Sequence, residues 1–198
     1  EKLYAFIEPY LQLFERKKTR SENDHAVRYE SVIFGFKKGG AEFARSFHRQ
    51  KNKFVVVDYD PDVIDEVARR GYDYLYGDAT DLELLEESGL EHAKSIISTV
   101  TDLETTEFIV STTIKLNPKA IIICSADSAL HATRLYEKGA SYVMMPHTIG
   151  TEKISNFIAK HGLKKAEFKA FRDKHLLYLA NYIDDLPAKH HTKLGHAV

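Results

Sequence analysis

The chain has 198 residues, of which 28 are Lys or Arg and 29 are Asp or Glu, so its formal net charge is −1. This balance argues against a dedicated nucleic-acid-binding protein, whose affinity depends on neutralising phosphates, and a hydrophobic content of 43% is too high for a disordered chain. Because Cys124 is the single cysteine, a disulfide framework and a cysteine-based zinc site are also excluded.

The first 30 residues predict an amphipathic segment followed by a charged linker. Large apolar residues recur at helical spacing through residues 1–14, with an interruption at Pro9. The basic cluster within residues 15–30 is typical either of a solvated linker or of the cytoplasmic side of a membrane helix. No apolar run reaches the roughly 18 residues that cross a bilayer. We therefore expect a soluble chain that is part of a longer protein.

From residue 31 onward, short apolar runs alternate with helical patterns. The runs are rich in β-branched residues and lack polar alternation, which is typical of strands buried on both faces. Strands that alternate with helices form βαβ units, so the sequence predicts an α/β fold with a doubly wound parallel sheet. The predicted strands are 31–34, 54–57, 72–76, 95–99, 120–124 and 141–144, and the predicted helices between them are 41–49, 61–70, 82–88, 103–116 and 128–138.

Local signals support these boundaries. Asp60 and Pro61 have the character of a helix N-cap and first turn, and Gly71, Gly89 and Gly139 stand where helices end. Beyond the predicted sheet domain of residues 31–148, residues 149–198 predict two apolar helices, at about 149–161 and 170–184, and a tail. The tail's histidines, His190, His191 and His196, are interpreted as an incidental cluster and not as a metal site.

An incomplete dinucleotide-binding motif follows the first predicted strand. The sequence Gly35-Phe36-Lys37-Lys38-Gly39-Gly40 matches the first and last glycines of G-x-G-x-x-G but has Lys37 at the middle one. The middle glycine normally lets the backbone approach a pyrophosphate. Lys37 therefore either obstructs a dinucleotide or supplies a cation to a phosphate, and amides at the start of the next helix form a potential anion site.

Three other strand ends predict parts of the same site. Asp58 lies 23 residues after Gly35, close to the offset of the acid that binds ribose hydroxyls and favours NAD over NADP. The alternative is that Asp58 only caps the following helix. The third and fourth strands lead into Asp78-Ala79 and Thr99–Thr101, which lie on the same rim of a parallel sheet.

Taken together, these segments resemble the regulator-of-K⁺-conductance domain, also called RCK, KTN or TrkA-N, over about residues 31–148. The resemblance rests on GFKKGG, VVVDYDPD, YGDATD, ISTVTD, NPKAIIIC and KGASYVMMP. The opening YAFIEPYLQLFERK is similar to the segment that leaves the last membrane helix of a Kef-like cation/proton antiporter. The resemblance implies a Rossmann-like, non-catalytic domain at the cytoplasmic face of the membrane, which regulates a K⁺ or Na⁺ transporter in preference to a channel.

Such domains form homodimers, bind NAD(H), AMP, ADP or ATP, and signal to a membrane transport domain, which would precede this chain. The helices after residue 149 resemble those that pack across the dimer. Two departures from the family are evident: Lys37 replaces a glycine, and Ser-Ala-Asp follows Cys124 where the family often has a basic residue. The nucleotide is therefore smaller or weakly held, or the site is vacant. The implied binding residues are Gly35, Phe36, Lys37, Lys38, Gly39, Gly40, Asp58, Tyr59, Asp78, Ala79, Thr99, Val100 and Thr101.

Three alternatives remain at this stage. An NAD-dependent oxidoreductase would need a substrate domain, for which too few residues follow the sheet, and Tyr136 lacks the lysine four positions later that short-chain dehydrogenases use. A methyltransferase would need a glycine at position 37 and further strands. A structural dimerisation platform with a degenerate nucleotide site is the strongest alternative. Cys124, in an apolar strand, is interpreted as a buried hydrophobe and not as a redox switch.

Overall fold

The computed structural model describes residues 28–37 and 39–184. They form a six-stranded parallel sheet in the order β3-β2-β1-β4-β5-β6, with helices between successive strands. This confirms the predicted fold class. The strands are β1 Ser31–Phe34, β2 Phe54–Asp58, β3 Asp73–Tyr76, β4 Ser95–Ser98, β5 Ile121–Ser125 and β6 Tyr142–Met144. The helices are α1 Gly40–Arg49, α2 Pro61–Arg69, α3 Leu82–Glu87, α4 Leu103–Leu116, α5 Ala129–Glu137, α6 Pro146–His161 and α7 Lys165–Asp184.

The central strands are buried on both faces, as their unbroken apolar sequences predict. Every residue of β1 is buried, and Val55, Val56 and Val57 of β2 are at most 2% exposed. One face packs against α1 and α2 in a cluster of buried side chains. That cluster contains Ile33, Phe36, Ala44, Phe54, Val56, Val63, Val67 and Ile97. The apolar core thus holds the ends of β1, β2 and β4 side by side.

The predicted caps are present. The Asp60 side chain accepts a hydrogen bond from the amide of Asp62 at the start of α2, next to Pro61. Glycines 71, 89 and 139 all have positive φ angles, a conformation that favours glycine after a helix. Side chains of Asp81, Asp102 and Ser128 cap α3, α4 and α5 in the same way.

The chain divides into two compact units, the second of which starts at Met145. Helices α6 and α7 begin earlier than predicted. Pro146 suits the first turn of α6, and the first residues of α7, Lys165, Ala166 and Glu167, are good helix formers. Within this unit, the Phe157 ring lies 5.0 Å from that of Phe168 and 4.5 Å from that of Phe171. The predicted amphipathic segment, most of the linker and the histidine tail lie outside the described residues.

None of the described helices combines the length and the apolar character needed to cross a bilayer.

Candidate functional site

The strand order defines where a ligand site is expected. Strand β1 lies between β2 and β4, so β2 and β3 continue the sheet on one side of it and β4, β5 and β6 on the other. The register aligns the last residue of β1, Phe34, with Val57 of β2 and Ser98 of β4. The segments that follow these three strands therefore meet at one edge. In open α/β sheets, this switch point is the usual place for a ligand.

The loop between β1 and α1 makes a tight turn that depends on glycine. Gly35 and Gly39 have φ angles of +81° and +120°, which side-chain-bearing residues rarely adopt. A Cβ atom on Gly40 would lie 2.0 Å from the carbonyl oxygen of Gly35. Glycines 35 and 40 therefore do what the first and last positions of the motif predict: the first permits the turn, and the last permits close packing of α1.

Asp58 ties this loop to the end of β2. Its Oδ2 accepts a hydrogen bond from the Phe36 amide at 3.0 Å, and its Oδ1 accepts one from the Asp60 amide at 3.0 Å. Asp60, and not Asp58, caps α2. The carboxylate remains half-buried at the site. Since a carboxylate oxygen accepts more than one hydrogen bond, Asp58 can hold the loop and also accept from ribose hydroxyls.

The Thr99 side chain contacts the backbone of the loop between β1 and α1. This side chain is buried, and its hydroxyl lies 3.0 Å from the Gly35 carbonyl oxygen and 3.2 Å from that of Lys37. A hydroxyl donates one hydrogen bond at a time, so Thr99 donates to one of these carbonyls. The sequence predicts Thr99 as a ligand-binding residue. The structure adds a positioning role that the sequence did not indicate.

The two residues after Thr99 turn the chain into α4. The Val100 carbonyl accepts a hydrogen bond from the Thr106 hydroxyl at 3.1 Å, and Thr101 is half-buried. Asp102 caps α4, and hydrogen bonds from the hydroxyl and amide of Thr105 lower the pKa of Asp102. Direct contact of Val100 and Thr101 with a ligand stays a prediction.

Lys37 forms an ion pair across the site. Its Nζ lies 2.9 Å from Oδ2 of Asp60, so the side chain connects the β1 loop with the β2 loop. The hydrogen bond between them raises the pKa of Lys37 and lowers the pKa of Asp60. Lys37 is exposed, and its φ is not positive. The sequence predicts Asp60 only as a helix cap, since nothing in its spacing indicates the lysine as a second partner.

The third segment of the rim lies beside Asp58. The amide of Gly77 donates to the Asp58 carbonyl oxygen at 3.1 Å, which brings Asp78 and Ala79 to the end of β2. Asp78 is exposed and accepts hydrogen bonds from the amide and hydroxyl of Thr80, both at 2.9 Å. Two aromatic side chains next to these acids are open to solvent, with Tyr59 74% and Tyr76 54% exposed. Lys38 lies outside the described residues.

The loop contains backbone N–H groups that are available to a ligand. Among the described residues, the amides of Lys37 and Gly39 find no acceptor, and the Gly40 amide makes only a long 3.4 Å contact with the Lys37 carbonyl. Gly39 and Gly40 stand at the beginning of α1, where the helix dipole also favours an anion, and Lys37 precedes them in the loop. The arrangement suits a phosphate group. Within the described ranges, no three histidine, cysteine or acidic residues are placed to hold a metal ion.

Cys124 lies near the end of β5, in register with Ser98 of β4. It is fully buried, and burial raises the pKa of its thiol to about 12. The thiolate is the reactive form of cysteine. This environment supports the interpretation of Cys124 as a buried hydrophobe.

Comparison with known proteins yields a family match and relatives of greater length. The family model described as the TrkA-N domain matches residues 31–146. Potassium channel protein 1 of Methanocaldococcus jannaschii is 26% identical over 152 residues, which cover 76% of this chain and 46% of the relative. Probable potassium channel protein 2 of that organism is 25% identical over 160 residues, with coverages of 79% and 47%. The chain thus spans about half the length of the curated relatives it matches.

Solved structures share the fold at lower identity. The TrkA-N domain of inner membrane protein ybaL from Escherichia coli superposes with a TM-score of 0.63 at 22% identity, over 67% of this chain and 98% of that one. The Kef CTD of Shewanella denitrificans in its AMP-bound form has a TM-score of 0.58 at 21% identity, with coverages of 78% and 93%. The GsuK channel bound to NAD has a TM-score of 0.55 at 23% identity, with coverages of 71% and 26%.

Proposed function

The chain belongs to the TrkA-N domain family, and we propose that it is a regulatory domain that binds an adenine nucleotide and controls transport of a monovalent cation. This family, also called RCK, is the one that the sequence resembles. The observation that carries the proposal is the loop between β1 and α1. Asp58 and Thr99 hydrogen-bond to it, and the amides of Lys37 and Gly39 have no acceptor among the described residues.

Each part of an adenine nucleotide has a suitable partner at this rim. The amides of Lys37, Gly39 and Gly40 suit a phosphate, and Asp58 suits the ribose hydroxyls. The exposed ring of Tyr59 suits stacking on the base. That the Kef CTD was solved with AMP and the GsuK channel with NAD supports this ligand class.

The proposed partner is a membrane transport domain that precedes residue 1 in a longer protein. Two curated relatives are named as potassium channel proteins, and the sequence of the first residues is similar to the exit segment of Kef-like antiporters. We assign the chain to the cytoplasmic side of such an antiporter, as a homodimer. A ligand then shifts the gating equilibrium of the transporter by its difference in affinity for the two states of the dimer.

The proposal includes no catalytic role. The carboxylate of Asp58 accepts two backbone amides, and that of Asp60 is shared between the α2 cap and Lys37. Both groups are thereby engaged in positioning the loops, and neither is poised to transfer a proton to or from a substrate. Ligand binding, and not chemistry, is the activity that this geometry supports.

A structural dimerisation platform is the second candidate. The observation that favours it is the Lys37–Asp60 ion pair, which joins the β1 loop directly to the β2 loop. Under this alternative, the ion pair substitutes for the nucleotide as the link between the loops.

Isothermal titration calorimetry distinguishes the two functions. The purified chain is titrated with NAD⁺, NADH, AMP, ADP and ATP, with Asp58→Ala and Asp58→Asn as site variants. Asp65→Ala is the matched control, because Asp65 is an exposed acid of α2. Heat that is lost in Asp58→Ala and kept in Asp65→Ala supports nucleotide sensing. No heat from a folded wild-type sample supports the platform, and light scattering at micromolar concentration tests the dimer in either case.

A further inference from the structure

The position of Lys37 in the loop determines what its side chain obstructs. In G-x-G-x-x-G loops, the middle residue lacks a side chain so that the backbone can approach the pyrophosphate of a dinucleotide. Lys37 occupies this position with an ordinary backbone conformation, held by the contact between its carbonyl oxygen and the Thr99 hydroxyl at 3.2 Å. A Cβ and side-chain stem at this position fill space that the glycine of the motif leaves open for a pyrophosphate.

The charged end of the same side chain is directed across the site. Nζ of Lys37 lies 2.9 Å from Asp60, and the charges of Asp58 and Asp62 also act on it. The ammonium thus pairs with the β2 loop, while the backbone of Lys37 belongs to the loop whose amides suit a phosphate. The Lys37–Asp60 pair is well exposed, which makes it weak enough for a phosphate to compete with Asp60 for the lysine.

We propose that Lys37 determines ligand specificity, so that the site selects adenine nucleotides that end in a phosphate over the dinucleotide NAD. The side-chain stem excludes the nicotinamide half, and the ammonium leaves Asp60 to bind the terminal phosphate. This inference rests on the proposed function, since it specifies the ligand of the same site.

Three variants separate the two effects of the lysine. Lys37→Gly restores the glycine motif, Lys37→Met keeps the bulk and removes the charge, and Asp60→Asn weakens the ion pair. Asparagine is also a good N-cap, so Asp60→Asn leaves the start of α2 intact. AMP and NAD⁺ are the probes, calorimetry gives both dissociation constants, and circular dichroism confirms that each variant is folded.

The inference predicts a distinct result for each variant. In wild type, AMP is expected to bind at least about tenfold more tightly than NAD⁺, the size of one hydrogen bond to a charged group. Lys37→Gly removes both the bulk and the charge, so it strengthens NAD⁺ binding, weakens AMP binding and reduces that ratio at least about tenfold. Lys37→Met weakens AMP binding about three- to tenfold and does not strengthen NAD⁺ binding. Asp60→Asn strengthens AMP binding by a factor of about two to five, because Lys37 no longer has to break an ion pair in order to bind the phosphate.

The outcomes that overturn the inference differ from those that overturn the proposed function. If AMP binds to wild type but Lys37→Gly leaves the ratio of the two constants unchanged, Lys37 is not the specificity residue, while nucleotide sensing stands. Equal affinity of wild type for AMP and NAD⁺ would also show that Lys37 is not the specificity residue, while nucleotide sensing stands. If neither probe binds to folded wild type, the proposed function and this inference both fail.

Discussion

Replacing Gly40 with alanine is expected to destabilise the protein by about 2–3 kcal/mol. The added Cβ would lie 2.0 Å from the Gly35 carbonyl oxygen and 2.9 Å from its carbonyl carbon, distances that real Cβ atoms essentially never show. Both atoms belong to backbone, so no side chain can rotate away. The start of α1 or the loop has to move by about 1 Å to reach an acceptable contact.

The size of the effect follows from what this movement disturbs. Overpacking of this kind costs about 1–3 kcal/mol. The displacement also weakens the hydrogen bond from the Ala41 amide to the Phe36 carbonyl, now 2.7 Å long, which adds about 1 kcal/mol. Alanine is favoured over glycine within a helix by up to about 1 kcal/mol, which offsets part of the loss. For a chain of this length, a net loss of 2–3 kcal/mol lowers the melting temperature by about 5–10 °C.

Gly150→Ala provides the matched control. Gly150 also lies in a helix, has no positive φ, and has no neighbouring atom within 4 Å of the position that an added Cβ would take. The same substitution there is expected to be neutral or to stabilise α6 by up to about 1 kcal/mol. Urea unfolding and thermal melting, both followed by circular dichroism, measure the two variants. A Gly40→Ala protein within about 0.5 kcal/mol of wild type would refute the close approach of α1 to the loop.

Three further predictions concern single groups. Thr99→Val keeps the shape of the side chain but removes the hydroxyl that lies within hydrogen-bonding distance of the Gly35 and Lys37 carbonyl oxygens. The variant is expected to cost about 1 kcal/mol in urea unfolding and to weaken AMP binding; unchanged stability and binding would show that the hydroxyl does not hold the loop. Burial raises the pKa of the Cys124 thiol to about 12, so Cys124 is expected to resist iodoacetamide at pH 8 in the native protein. It should react after unfolding in urea, and stoichiometric labelling of the native protein within minutes would contradict the prediction. The hydrogen bond from Lys37 lowers the pKa of Asp60, so the contribution of this pair to stability is complete above the ordinary carboxyl pKa of 3.8 and is lost as the pH falls through the lowered pKa. Carbon NMR titration should find a higher pKa for Asp60 in Lys37→Met, and an unchanged value would show that Lys37 is not the cause.

The sequence alone was sufficient to predict the fold, because the signals that define it are local. Unbroken apolar runs such as FVVVD predict strands buried on both faces, and the alternation with helices predicts the parallel sheet. Asp60 and the glycines that end α2, α3 and α5 set boundaries through their own conformational preferences. Gly35 and Gly40 were recognisable from the motif, since backbone geometry requires glycine at both positions.

Only the tertiary structure decided how the side chains of the site are used. The spacing predicts Asp58 as an acid near ribose, but its bonds to the Phe36 and Asp60 amides depend on β1 and β2 lying side by side. Thr99 turns inward under the loop because β4 pairs with the other edge of β1. The Lys37–Asp60 pair joins residues 23 positions apart, and no periodicity connects them. Local sequence encodes strands, helices and turns, whereas partners that are distant in the chain meet only when the sheet has assembled.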